Sequence, residues 1–146
     1  MNDDTIKFIV DDPGGILKEP AYPGDAGLDV AVTTYASLPP HSVSQVPIGI
    51  RMAPPRGTVF TFMTRSSAVR QGIFVLPTLI DEGYRGPLFL FVLNTTGNYL
   101  DIPLGTCIAQ ILLLPNVMEG KHIQLVSELP VSSRGTKAFG SSGDSI

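Results

Sequence analysis

Prolines and glycines set the limits on what this chain can fold into. Thirteen prolines and fifteen glycines are spread through its 146 residues and separate short apolar runs. Proline removes a backbone donor and glycine adds conformational entropy to any regular element, so long helices cannot grow and the chain turns repeatedly. The pattern predicts an all-β fold. Candidate strands run from Ile6 to Val10, Leu28 to Val32, Val43 to Met52, Val59 to Met63, Ile73 to Leu76, Leu88 to Leu93, Cys107 to Leu114 and Ile123 to Val126. Turn residues punctuate them at Pro39-Pro40, Pro54-Pro55-Arg56-Gly57, Asn94-Thr95-Thr96-Gly97 and Glu119-Gly120. Short strands in this rhythm point to a sandwich or a jelly-roll-like barrel. Ser66 to Gln71 is the one stretch that suits a short helix.

The length suits a single domain. Charged residues make up only 16% of the chain and mean hydropathy is +0.24, leaving a monomer little polar surface to cover itself with, so burial between subunits is one explanation. No apolar stretch approaches the ~18 residues of a membrane helix, and Met1-Asn2-Asp3-Asp4 lacks the basic start of a signal peptide. A cytoplasmic protein without a membrane partner is expected. A net charge of −3 and a pI near 5.2 do not supply the broad basic face that nucleic acid requires. An anionic ligand would therefore need a few local arginines and a metal cation. The lone Cys107 sits in an apolar run and reads as a buried structural thiol. There is no P-loop, no Gly-x-Ser-x-Gly elbow, and no zinc-like spacing of His41 and His122 with Cys107.

Five polar clusters interrupt the apolar runs. Each has a plain structural explanation. Ala26-Gly27-Leu28-Asp29 suits a turn entering a strand, and Arg65-Ser66-Ser67-Ala68 a capped helix start. Ile80-Asp81-Glu82-Gly83-Tyr84-Arg85-Gly86 suits a hairpin, and Gln110 an outward residue on a strand. The segment from Val131 to Gly143, small, polar and glycine-rich around one aromatic, suits a mobile end. Taken in order, however, Asp29, Arg65, Asp81, Gln110, Arg134 and Phe139 resemble the trimeric dUTPase family. Its five signature segments are similar to Ala26–Val30, Arg65–Gly72, Leu79–Gly86, Gly105–Ile111 and Arg134–Gly143, and together they run over about four-fifths of the chain.

The resemblance implies a homotrimer of jelly-roll subunits with shared active sites. Residues 1–130 would form the barrel domain, and 131–146 a flexible glycine-rich C-terminal arm that closes on a neighbour's site. The implied reaction is hydrolysis of dUTP to dUMP and pyrophosphate with Mg2+, which limits uracil incorporation into DNA and supplies dUMP for dTMP synthesis. Asp81 would activate the attacking water and Tyr84 would pack under the deoxyribose, leaving no room for a ribose hydroxyl. By the same resemblance Arg65 and Arg134 clamp phosphates, Ser66, Ser67 and Gln110 contact them, and Asp29 orders water and arginine. Phe139 would stack on uracil, with Gly140, Ser141 and Ser142 beside the γ-phosphate. No protein ligand to the metal is implied, since phosphates and waters would hold it.

The match departs from the family in places. Arg65–Gly72 is one residue short, similar to the compact spacing of some viral or phage members. Val75-Leu76-Pro77-Thr78-Leu79 stands where many relatives carry asparagine or glycines, so uracil recognition is expected from backbone groups around Leu76, Thr78 and Leu79. Gly105-Thr106-Cys107 and Lys137-Ala138 also differ from the usual residues. A dCTP deaminase shares the fold but needs a glutamate where this chain has Phe91, which cannot move a proton. A third possibility is an idle dUTPase-like module kept for protein contacts.

Overall fold

The computed structural model of the chain describes residues 4–138. Among them are ten strands and one five-residue helix. In chain order these are β1 (Lys7–Val10), β2 (Gly27–Val30), β3 (Ala36–Leu38), β4 (Ser42–Pro47), β5 (Ile50–Ala53), β6 (Thr58–Thr64), α1 (Ser66–Arg70), β7 (Ile73–Val75), β8 (Phe89–Asn94), β9 (Leu100–Ile102) and β10 (Ala109–Pro115). They pair antiparallel into four small sheets, β1-β5, β2-β10-β6, β3-β9 and β4-β8-β7. Neighbours in space are rarely neighbours in sequence, which is the crossing pattern of a jelly roll. The expected all-β fold is what forms.

Alternation of side chains along β10 explains where the core lies. Ala109 and Ile111 point inward and are fully buried, while Gln110 between them faces the other way. Register then aligns Leu28 and Phe62 with Ile111, and Val30 with Ala109. Phe60 and Phe62, two apart on β6, share that inner face with ring centroids 6.3 Å apart and planes near perpendicular. Losing either ring would cost about 3–5 kcal/mol. Leu38, Ile48, Leu90, Val92 and Ile102 complete the interior.

Several sequence expectations need correction. The single strand from Val43 to Met52 is two, because the chain bends at Ile48-Gly49, where the Gly49 carbonyl accepts the amides of Asp11 and Asp12 at 2.8 and 3.2 Å. Ile123–Val126 is not a strand: it finds no edge on its own barrel, and Ile123 and Leu125 stand almost fully exposed. Two three-residue strands, β3 and β9, escaped detection because they are too short for a periodic signal. Cys107 is half-buried rather than sealed in the core. The turn after β8 is organised by buried Asn94, whose amide donates to the carbonyls of Leu38 and Asn98 while its oxygen accepts from Thr96.

Candidate active site

Strand pairing puts Asp29 directly opposite Gln110, with Met63 on the far side of the same rung. Because alternation is fixed by the pleat, Asp29 and Gln110 share the outer face of the sheet. The Gln110 side chain leans over Gly27: a Cβ there would run into its amide end, so a side chain at this position requires Gln110 to swing away. Arg65 arrives from the end of β6. Its amide bonds the Ile108 carbonyl at 2.9 Å, and its Nε lies 3.6 Å from Asp29 Oδ1. The three side chains line one cavity of about 620 Å³.

Ser66 and Ser67, the first two residues of α1, are exposed beside Arg65. First-turn amides have no partner within a helix and are available to an anion. The cavity also recruits residues that sequence reasoning missed. Lys18, Glu19, Tyr22 and Asp25 form its outer wall, with the Lys18 amide bonded to the Asp29 carbonyl at 3.1 Å. The sequence offered no clear signal for them, since Lys18, Glu19, Tyr22 and Asp25 are interspersed with Pro20, Ala21, Pro23 and Gly24.

The hairpin groups stand elsewhere. Ile80 bridges Phe60 on the edge of β6 away from β10, and the next residue, Asp81, is exposed and opens a turn closed by the Tyr84 amide at 3.1 Å. From Asp29 through β10 and β6 to this edge is three strand steps, with a shift of three residues along the strands. At about 4.8 Å per step and 3.3 Å per residue, the separation is on the order of 17 Å. Tyr84 lays its ring over Gly86, where a Cβ would collide with it, and its hydroxyl donates to the Pro87 carbonyl at 2.9 Å. The ring is thereby held with its hydroxyl already engaged. Glu82 accepts the Gly57 amide and ties the hairpin to the turn before β6.

Of the backbone expected to read a base, the Leu76 amide is bonded to the Phe91 carbonyl at 2.8 Å. Thr78 is half-buried and Leu79 is exposed. Arg134 is exposed, and its guanidinium donates to the Lys137 and Ala138 carbonyls at 3.0 and 3.3 Å, so this piece of the C-terminal segment curls on itself. Phe139, Gly140, Ser141 and Ser142 lie outside the described residues. Among the described residues no group of three or more His, Cys, Asp or Glu side chains could hold a metal ion, and no helix is long and apolar enough to cross a membrane.

Residues 15–143 match the family model for dUTPase. A deoxyuridine 5'-triphosphate nucleotidohydrolase of Leifsonia xyli is 38% identical over 130 residues, covering 86% of this chain and 84% of the relative. This chain belongs to the dUTPase family. Membership makes it an enzyme of the dUTP nucleotidohydrolase class. The fold agrees: a Staphylococcus bacteriophage 80alpha dUTPase mutant with dUpNHpp superimposes with a TM-score of 0.84 at 22% identity, covering 97% of this chain and 99% of that one. A mutant dUTPase from phage phi11 of S. aureus, described with a structural Mg(II) ion, gives 0.75 at 18% identity over 85% of this chain and 97% of that one.

Proposed function

We propose that the chain assembles as a homotrimer whose shared sites hydrolyse dUTP to dUMP and pyrophosphate in the cytoplasm. The observation that carries this reading is the separation of the Asp81 turn from Asp29, three strands apart and on the order of 17 Å by strand spacing, which is wider than a triphosphate spans. In this reading one chain's hairpin completes another chain's cavity. Two further features support association. The outer face of β4-β8-β7 leaves Val43, Phe74 and Phe91 exposed, and Val117, Met118, Ile123, Leu125, Leu129 and Val131 extend from the barrel uncovered. Apolar surface on this scale favours contact with another chain.

In the proposed reaction Asp81 accepts a proton from water as its oxygen bonds to the α-phosphorus, and the bond from that phosphorus to the bridging oxygen breaks. Arg65, Gln110, the Ser66 and Ser67 amides and Arg134 hold the phosphate oxygens, with Asp29 orienting Arg65. The Tyr84 ring lies against the sugar and excludes a 2′-hydroxyl. Thr78 and Leu79 offer backbone groups to uracil. In this reading residues 131–146 form the arm that closes the site, with Phe139 stacking on the base.

In the proposed reading Mg2+ is held by substrate phosphates and waters, beside a half-buried Asp29 paired with Arg65. Bound there, it would neutralise phosphate charge. Pyrophosphate release should be strong with dUTP and magnesium and weak with UTP and dCTP, and the solution mass should be three times the 15.6 kDa chain. Ammonia release from dCTP would favour a deaminase, no turnover an idle module, and a monomeric mass would sink the shared site.

A further inference from the structure

The cavity beside Asp29 contains two cations, Lys18 and Arg65, and three carboxylates, Glu19, Asp25 and Asp29. Two minus three leaves −1, a local field that opposes entry of a phosphate chain. Arg65 lies 3.6 Å from Asp29, so much of its charge is answered within the protein. Asp25 is turned to the Tyr22 amide at 3.1 Å. Lys18 is different. Its amide is fixed to the Asp29 carbonyl at 3.1 Å, while its ammonium has no hydrogen-bond or ion-pair partner among the described residues. The backbone bond thus fixes the base of an exposed, unengaged lysine at the wall of the site.

We propose that Lys18 binds the β- and γ-phosphates of the substrate and so distinguishes the triphosphate from its monophosphate product. The inference rests on the dUTP-hydrolysing reading above. In-line displacement places the attacking water and the leaving group on opposite sides of the α-phosphorus. The water belongs to the Asp81 hairpin, so the strand-borne half with Arg65, Gln110 and Lys18 faces the departing pyrophosphate. Three donors on a flexible stem can follow that group as it moves. The backbone anchor makes the lysine's position independent of its own side chain, so replacing the side chain removes the charge and leaves the wall standing.

The test uses the full-length protein with magnesium and compares Lys18→Gln and Lys18→Arg with the parent. Lys18→Gln should raise the KM for dUTP by ~5- to 20-fold, while the inhibition constant of dUMP, which lacks both outer phosphates, stays unchanged. Lys18→Arg should recover most of the loss. An unaltered KM in Lys18→Gln, or a dUMP constant that shifts in parallel, would overturn the assignment. Parent protein that releases no pyrophosphate would overturn the hydrolase reading and this inference with it. Parent turnover alongside an unaffected Lys18→Gln variant would overturn the inference alone.

Discussion

Asp29 and Gln110 stand on neighbouring strands locked by a hydrogen-bonded ladder, with Arg65 bonded to the same sheet, whereas Asp81 and Tyr84 ride a hairpin joined to the barrel's edge through the Phe60–Ile80 bridge and the Glu82–Gly57 bond. The first group is positioned by register, so its geometry is complete within one chain. The second is positioned by local turns and presents its groups outward. In the proposed trimer the constellation built on strands would be ready before assembly, while the one built on the hairpin would need a partner to give it something to act on.

The sharpest way to break this comparison is Asp81→Asn. Turnover should fall by about 10³-fold or more while a non-hydrolysable dUTP analogue still binds near parent affinity, since the amide cannot take up a proton. Equal loss of binding would place Asp81 among the groups that hold substrate. If the proposed arm and trimer hold, removing the chain after Ser132 should lower kcat/KM by ~100-fold with a trimeric mass retained, because closure would complete the electrostatic surroundings. Full activity of that truncation would refute the arm.

Gly27→Ala probes the strand-borne half. The new methyl meets the flexible amide end of the Gln110 side chain, which must swing away, so stability should change by less than about 0.5 kcal/mol while kcat/KM drops by ~10-fold. Adding Gln110→Ala should leave the melting temperature nearly unchanged and not restore the activity, which separates crowding from function. The smallest effect concerns Asp11, whose carboxyl receives Nε and Nη2 of Arg51 at 2.7 and 3.0 Å and is held by that guanidinium below its ordinary value of 3.8. A lowered carboxyl contributes stability above its unfolded value and loses it as pH falls through the folded one. Asp11→Asn should therefore slightly lower the melting temperature in the neutral region, leave it nearly unchanged at the acid end and so flatten the acid limb, more visibly at low salt.

Much of this was legible in the chain itself. Strand positions such as β6 and β10 follow from apolar runs bounded by proline and glycine, and α1 was expected within one residue of where it lies. The charged members of the strand-borne half were picked out by residue type and order. Lys18, Glu19, Tyr22 and Asp25 were not, because what brings them to the cavity is the bond from the Lys18 amide to a carbonyl eleven residues later, a contact without side-chain chemistry. Ile123–Val126 failed as a strand for the opposite reason. Its apolar pattern is real, but a strand also needs an edge, and pattern alone does not say whose.

By itself, then, the order of residues determined that this protein would be a turning, short-stranded β structure carrying dUTPase segments in family order, because periodicity and backbone restriction are local properties. Only the tertiary structure decided that Asp29, Arg65 and Gln110 converge while Asp81 stands some three strands away. Register and sheet closure set those distances, and both depend on pairings between residues far apart in the chain.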